Sequence, residues 1–208
     1  MSDDQTLTEV PHRSNTATWV VLAVVAALFL AWVLFLRPEI SMKRATEGPG
    51  VGQPLVALDL QPLTGTTDGL TLDSLRGKVT LINFWGTWCP PCLREFPHMV
   101  ELWDEFRDKP DFKFVSVSST FDAPENVEDV RQKTAQFLRS RSTAMPTYID
   151  ANGATRQLVA SVLGTPSLSY PTTILLDRAG IVRATWTGYE SGYEHQMEKL
   201  VAQLLSEK

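Results

Sequence analysis

Residues 79–97 read VTLINFWGTWCPPCLREFP and contain the features that decide the fold. The first seven, Val79–Trp85, are almost continuously apolar, which is typical of a central strand buried on both faces. Pro90 and Pro91 suit the first turn of a helix, where backbone N–H groups have no intrahelical partner. Beyond them, apolar side chains recur at helical spacing at Leu93, Phe96, Val100, Trp103 and Phe106. The sequence therefore predicts a strand that leads into a helix beginning at the two cysteines.

The only two cysteines of the chain, Cys89 and Cys92, stand three positions apart. At the start of a helix this spacing puts both thiols on one face, close enough to form a small disulfide ring. Unpaired N–H groups and the helix dipole favour a thiolate at the first position. We therefore expect Cys89 to be the nucleophile and Cys92 the resolving thiol. Trp88 is expected to shield one side of the pair and to offer a flat apolar contact surface.

Other roles for the cysteine pair are less well supported. A zinc site needs more ligands than two cysteines, and the three histidines form no spaced cluster, so we expect no metal and no cofactor. A structural disulfide across so short a loop would stabilise the fold little. A peroxiredoxin-like peroxidase and a copper or haem-protein chaperone remain alternatives. Trp88 and the pairing of the cysteines argue against the first, and the lack of Met-rich or His-rich runs against the second.

The overall composition indicates one sizeable hydrophobic core. The chain has 208 residues, of which 43% are hydrophobic, and a formal net charge of −5. Nucleic-acid binding depends on clustered Lys and Arg that displace counterions, and this charge gives no argument for it.

The N-terminal segment Trp19–Leu36 has 18 residues without a charged side chain, WVVLAVVAALFLAWVLFL. As a helix it would extend about 27 Å, close to the thickness of a bilayer core. It is longer than the apolar region of a signal peptide, and no small-x-small cleavage site follows. The sequence thus predicts an uncleaved single-pass transmembrane anchor, preceded by a disordered tail at 1–18 and followed by a glycine-containing tether at 37–53.

The charges that flank this segment do not agree with an extracytoplasmic domain. Arg13 precedes the apolar segment, whereas Arg37, Lys43 and Arg44 follow it. Taken alone, the positive-inside rule would leave the C-terminal domain in the cytoplasm. Long domains translocate largely regardless of such charges, so the rule is weak here.

From about Pro54 onward the chain alternates between strand and helix patterns. Strands are predicted at Val56–Leu60, Val79–Trp85, Phe112–Val117, Thr147–Asp150, Thr172–Leu176 and Ile181–Trp186, a short strand or turn at Leu70–Leu75, and helices after Cys89, at Pro124–Arg141 (exposed), Gln157–Leu163 and Glu194–Leu205. A βαβ crossover followed by a ββα ending predicts an α/β sandwich around a central mixed sheet.

Two motifs together resemble a known family. Residues 83–97, NFWGTWCPPCLREFP, and the segment Tyr170–Thr173, YPTT, are similar to the active-site segment and the cis-proline loop of the TlpA/ResA branch of thioredoxin-like proteins. These are tethered extracytoplasmic thiol–disulfide oxidoreductases, and many serve cytochrome c maturation. The resemblance implies a thioredoxin-like three-layer sandwich over residues 54–208, with an insert within about 118–164.

The resemblance also implies roles for individual residues. Pro171 should follow a cis peptide bond and place the backbone of Tyr170 against the disulfide, where a client chain can pair with it. Asn83 stands where many thioredoxins carry a buried acid, and an amide cannot accept the proton of the resolving thiol. Glu95, one turn beyond Cys92, is the natural replacement as proton acceptor or as electrostatic regulator of the thiols. The alternative interpretation of Glu95 is a solvated surface carboxylate.

These expectations combine into one hypothesis about function. The protein would be a thiol–disulfide oxidoreductase that reduces disulfides in extracytoplasmic client proteins and is itself reduced by a membrane thiol donor. It would be anchored by one helix in the cell or inner membrane, with its redox domain on the periplasmic side.

Overall fold

The structure, a computed structural model, describes residues 16–33, 37–120 and 126–207. The chain divides after Ser41 into two compact units. The first contains helix α1 (Thr16–Ala31) and the beginning of helix α2 (Arg37–Thr46). The second starts at Met42 and contains all strands of the sheet.

Helix α1 begins three residues before the predicted membrane segment, overlaps it from Trp19 to Ala31, and is shorter than it. It has 16 residues, and its large apolar side chains are exposed, from Trp19 at 72% to Leu30 at 57%. In the described ranges no helix is both long enough and apolar enough to cross a membrane, so the predicted transmembrane helix is not confirmed. Residues 34–36 of the predicted span, and residues 1–15 of the predicted tail, lie outside the described residues.

A seven-stranded sheet forms the second unit, in the order β2-β1-β5-β4-β3-β6-β7. The strands are β1 (Asp59–Thr64), β2 (Leu70–Thr71), β3 (Val79–Trp85), β4 (Phe112–Ser118), β5 (Thr147–Ile149), β6 (Thr172–Leu176) and β7 (Val182–Thr187). Strand β4 pairs parallel with both β3 and β5, and the other pairs are antiparallel. The predicted α/β fold with a central mixed sheet is therefore confirmed.

Helices cover both faces of this sheet. They are α3 (Leu72–Leu75), α4 (Pro90–Phe106), α5 (Val127–Ser140), α6 (Ala154–Val162) and α7 (Tyr193–Ser206). Successive side chains of a strand point to opposite faces, and β3 shows this clearly. Leu81 packs in one buried cluster with side chains of α4 and α7, and Ile82 packs in another with Val159 of α6. The two clusters are the two interfaces of a three-layer sandwich.

Strand β3 is the central strand that the sequence predicts. All seven of its residues are buried. It pairs with β4 from Val79 to Trp85 and with β6 on its other side. Because β3 runs directly into α4, the centre of the sheet fixes the position of the cysteine motif.

Three predicted boundaries differ from the structure near the edge of the sheet. Strand β1 begins at Asp59, since Leu55 and Leu58 are the buried residues before it and do not alternate as in a strand. The predicted strand or turn at Leu70–Leu75 divides into β2 and the short helix α3. Helix α6 begins three residues earlier than predicted, because Gly153 adopts a left-handed conformation, φ 75°, that starts the helix.

Helix α5 is less exposed than the sequence predicts. It begins at Val127, and the Asn126 side chain accepts a hydrogen bond from the Asp129 amide. Residues 124 and 125 of the predicted helix lie outside the described residues. Its side chains at Val130 and Leu138 are buried. The sequence shows these apolar positions, and because they lie on one face of the helix they pack α5 against the rest of the domain.

Residues 42–53, predicted as part of a tether, lie in the second unit. Helix α2 extends to Thr46, and Ala45 is buried in the core. The Gly52 amide donates to the Val182 carbonyl at 2.8 Å, and the Val182 amide donates to the Gln53 carbonyl at 2.9 Å. Gly52, with φ 84°, therefore serves a turn that brings the backbone against β7.

Candidate active site

Cys89 and Cys92 lie where β3 passes into α4, as the sequence predicts. Cys89 is the N-cap of α4, and Pro90 and Pro91 occupy its first turn. The two cysteines form a disulfide. The backbone amide of Cys92 donates to the Cys89 sulfur at 3.3 Å. A helix N-terminus with an N–H group directed at this sulfur stabilises negative charge there once the disulfide is reduced.

Both cysteines are buried in this oxidised form. Cys89 is 2% exposed and Cys92 is 1% exposed, and both belong to the hydrophobic cluster on the α4 side of the sheet. The side chains around this disulfide must therefore move before a sulfur of a partner protein can reach it.

Glu95 is buried in α4, one turn beyond Cys92, with only 1% of its surface exposed. Its Oε2 accepts a hydrogen bond of 2.9 Å from the Asn83 amide nitrogen, and its Oε1 has no hydrogen-bond partner among the described residues. Burial raises the pKa of Glu95 to about 7. The Asn83 hydrogen bond opposes this rise, and the Glu194 carboxylate adds to it. The interpretation of Glu95 as a solvated surface carboxylate is therefore wrong.

Asn83 connects β3, α4 and β6 at this point. Its side-chain nitrogen donates to Glu95 and, at 2.8 Å, to Oγ1 of Thr173. An amide carries no charge of its own, so Asn83 orients the Glu95 carboxyl group without supplying a counter-charge. Glu95 is the ionisable partner of this neutral amide.

The peptide bond between Tyr170 and Pro171 is cis, as the resemblance implied. Pro171 directly precedes β6, whose first residue, Thr172, pairs with Phe84 near the end of β3. The Pro171 carbonyl accepts a hydrogen bond of 2.8 Å from the Gly188 amide. This register places the proline loop beside the C-terminal end of β3, which leads into the disulfide.

Trp88 and Tyr170 form an aromatic pair next to the motif. Their rings meet edge to face with centroids 5.2 Å apart, and the Trp88 indole nitrogen donates to the Ser119 carbonyl at 2.8 Å. Trp88 is 38% exposed and thus presents an apolar surface, as the sequence predicts. A Cβ atom at Gly86 would lie 2.3 Å from the indole nitrogen, so only glycine allows this placement.

A second aromatic contact borders the site on the α7 side. The Tyr189 ring stacks on His98 of α4, with centroids 6.2 Å apart. Burial raises the pKa of Tyr189, and the carboxylates of Glu194 and Glu95 raise it further. These effects show that Glu95, Glu194 and Tyr189 lie close enough to interact electrostatically.

Ser119 and Arg156 also contribute to the site and were missed from the sequence. Both contact the Tyr170 hydroxyl group, and they come from segments 51 and 14 positions away. Neither belongs to a recognisable motif, so no sequence signal marks them. In the part of the chain that the structure describes, no group of three or more His, Cys, Asp or Glu is placed to hold a metal ion.

A disulfide at the start of the helix that follows the central strand, with a cis-proline loop beside it, defines a thioredoxin-like site for thiol–disulfide exchange. Residues 51–185 match the AhpC/TSA family, and the chain belongs to this family.

Its relatives agree with this class of site. The thiol-disulfide oxidoreductase ResA of Halalkalibacterium halodurans is 30% identical over 154 residues, which cover 74% of this chain and 76% of the relative. The thiol:disulfide interchange protein DsbE of Pseudomonas aeruginosa is 29% identical over 188 residues, which cover 88% and 91%. The chain is therefore a thiol–disulfide oxidoreductase.

Solved structures show the same fold. A thiol:disulfide interchange protein of the thioredoxin family from Chlorobium tepidum aligns with a TM-score of 0.58 at 21% identity, covering 76% of this chain and 97% of that one. A secreted thiol-disulfide isomerase from Corynebacterium glutamicum aligns with a TM-score of 0.58 at 20% identity, covering 73% and 84%. At these identities the likeness supports the thioredoxin-like fold.

Proposed function

We propose that this protein reduces disulfides in client proteins outside the cytoplasm, for example during cytochrome c maturation. The observation that carries the proposal is the Cys92 amide directed at the Cys89 sulfur at the start of α4. The N-terminal end of the helix stabilises a thiolate at Cys89. Cys89 is therefore the nucleophile. Cys92, one turn into the helix, is the resolving thiol.

The reaction is two successive thiol–disulfide exchanges. The Cys89 thiolate attacks one sulfur of the client disulfide, a bond forms between Cys89 and that sulfur, and the other client sulfur leaves as a thiolate that takes up a proton. Cys92 then loses its proton and attacks the Cys89 sulfur. The second client thiolate leaves, and the Cys89–Cys92 disulfide forms. Two electrons pass to the client, and a membrane dithiol donor later returns two electrons to the protein.

Glu95 is suited to handle the proton of Cys92. A general base works best when its pKa lies near the working pH, and burial brings the pKa of Glu95 to about 7. Its position one turn beyond Cys92 puts it on the same side of α4. When ionised, Glu95 also opposes a second negative charge on the neighbouring thiols.

The client surface consists of Trp88 and the Tyr170–Pro171 segment. The exposed indole of Trp88 offers an apolar contact, and the backbone at Tyr170 offers hydrogen-bonding groups to an extended client chain. Pro171, which lacks an N–H group, holds this segment beside the disulfide.

The apolar N-terminal segment Trp19–Leu36 anchors the protein in the cell or inner membrane, with the redox domain on the periplasmic side. The exposed apolar side chains of α1 support this part of the proposal. Full-length protein should remain with membranes after a salt wash. A membrane-impermeant thiol reagent should label the reduced cysteines in intact cells, and labelling only after lysis would contradict the topology.

Trapping experiments test the assignment of the two cysteines. Cys92→Ser removes the resolving thiol, so Cys89 should accumulate as a mixed disulfide with clients. Cys89→Ser should accumulate none. Equal adducts in both variants would show that the assignment is wrong. Rapid consumption of peroxide by the reduced protein would favour a peroxidase, and tight binding of copper in a titration would favour a metal chaperone.

A further inference from the structure

A buried ion pair lies at the start of α6. Asp150 has a fully buried side chain, and its carboxylate accepts hydrogen bonds from the backbone amides of Thr155 at 3.3 Å and Arg156 at 2.7 Å. The Arg156 guanidinium returns to the same residue, with Nε 3.5 Å from Oδ2 and Nη2 donating to the Asp150 carbonyl at 3.3 Å. Arg156 is thus fixed in orientation by the helix end from which it comes.

The remaining guanidinium nitrogen of Arg156 points to the redox site. Nη1 donates to the hydroxyl oxygen of Tyr170 at 3.4 Å. The same hydroxyl group forms a hydrogen bond of 3.0 Å with Oγ of Ser119. Two groups from separate parts of the chain therefore hold one phenol, and one of them is charged.

The phenol ring of Tyr170 contacts the neighbouring aromatic ring of Trp88. The Tyr170 ring meets Trp88 edge to face, and the Ser119 carbonyl accepts from the Trp88 indole. Trp88 directly precedes Cys89, and Tyr170 directly precedes Pro171. The hydrogen bonds therefore connect both segments that flank the disulfide to one buried ion pair.

We infer that Arg156 is a positioning residue, which holds Tyr170 and through it Trp88 in the arrangement that a protein client binds. This inference rests on the proposed function and adds the group that orders the client surface. Arg156 is 8% exposed and its charge is paired with Asp150, so it acts through the Tyr170 hydroxyl. Side chains that are ordered before binding lower the entropic cost of association.

This role separates two kinds of substrate. A protein disulfide contacts the Trp88–Tyr170 surface, whereas a small disulfide reagent needs access to the sulfur alone. Loss of the Arg156–Tyr170 hydrogen bond should therefore raise KM for a protein substrate. It should leave kcat and the reduction potential of the Cys89–Cys92 couple unchanged, since the groups around the sulfur atoms remain.

Tyr170→Phe tests the inference with a minimal change, because it removes only the hydroxyl group. In full-length protein we expect KM for insulin reduction to rise about fivefold, as for the loss of one hydrogen bond. The rate with the small reagent 5,5′-dithiobis(2-nitrobenzoate) should fall less than the rate with insulin. The indole N–H resonance of Trp88, assigned with Trp88→Phe, should shift. Tyr148→Phe makes the same change at a buried tyrosine of β5 and is the matched control for altered stability.

Arg156→Lys tests whether Arg156 acts through Tyr170. Lysine keeps the charge beside Asp150 but lacks the planar fork that reaches two partners. The KM of Arg156→Lys for insulin should match that of Tyr170→Phe. The KM of the double variant should be no higher than that of either single variant. Additive effects, or an unchanged KM in Tyr170→Phe, would overturn the inference. If Arg156→Lys does not fold, Tyr170→Phe alone decides.

Failure of this inference differs from failure of the proposed function. Wild-type protein that does not reduce insulin at all, or that has a strongly oxidising potential, would contradict the proposed function. Wild-type protein that reduces insulin, together with variants of unchanged KM, would contradict only the role of Arg156.

Discussion

Two buried carboxylates lie near helix starts in this protein, and their surroundings differ. Asp150, before α6, accepts two backbone amides and faces the guanidinium of Arg156. Glu95, in α4, accepts a hydrogen bond from the neutral Asn83 amide, and its other oxygen has no hydrogen-bond partner among the described residues. The comparison separates a carboxylate that is paired with a charged side chain from one that can exchange a proton near pH 7.

The largest expected effect follows from breaking the ion pair. Asp150→Ala leaves the buried Arg156 without its counter-charge and removes the acceptor of two helix amides. Unfolding in urea should show a loss of about 3 kcal/mol or more. Asp73→Ala is the control, since the Asp73–Arg76 pair is 85% and 67% exposed and should contribute less than about 1 kcal/mol. Similar small losses for both variants would contradict the structural role of Asp150.

The second effect concerns the pH dependence of stability. The folded-state pKa of Glu95, about 7, lies above the ordinary glutamate value of 4.5, so folding favours the protonated form. The contribution of Glu95 to the free energy of unfolding is fully present below pH 4.5 and is lost as the pH rises through 7. The oxidised wild type should lose about 3 kcal/mol over this interval relative to Glu95→Gln.

Glu105→Gln is the matched control for this measurement, because Glu105 is exposed on the same helix. Its unfolding free energy should follow that of the wild type at every pH. If Glu95→Gln does the same, the carboxyl group of Glu95 does not titrate in the folded protein as described.

A smaller effect is expected on the thiols. Ionised Glu95 opposes a thiolate nearby, so Glu95→Gln should let the Cys89 thiolate form at lower pH. The rate of alkylation by iodoacetamide, measured against pH on reduced protein, should shift by about one unit, equivalent to about 1.4 kcal/mol. Overlapping curves would show that Glu95 does not regulate the nucleophile, although it is buried.

The redox motif was predictable because its determinants are local. The apolar run of β3, the two prolines and the spacing of the cysteines all lie within Val79–Pro97. They fix a strand, a helix start and a thiol pair without reference to the rest of the chain. The cis-proline loop and the place of Glu95 were expected from the resemblance.

The surroundings of these residues were not predictable, because they depend on distant segments. The Asn83 side chain joins Glu95 to Thr173, which is 90 positions from Asn83 in the sequence. The contact of Arg156 with Tyr170 requires α6 to begin at Ala154, and Gly153 and Asp150 determine that start. A helical pattern at 157–163 alone does not include Arg156 in the helix.

The reduction potential of the Cys89–Cys92 couple tests the central claim most directly. Full-length protein is equilibrated with glutathione buffers of known ratio, and the fraction of free thiol is measured by alkylation. A protein that donates electrons to client disulfides should lie between protein disulfide isomerase at about −180 mV and thioredoxin at about −270 mV. A value near −120 mV, that of the strong oxidant DsbA, would contradict the account and assign the protein to disulfide formation.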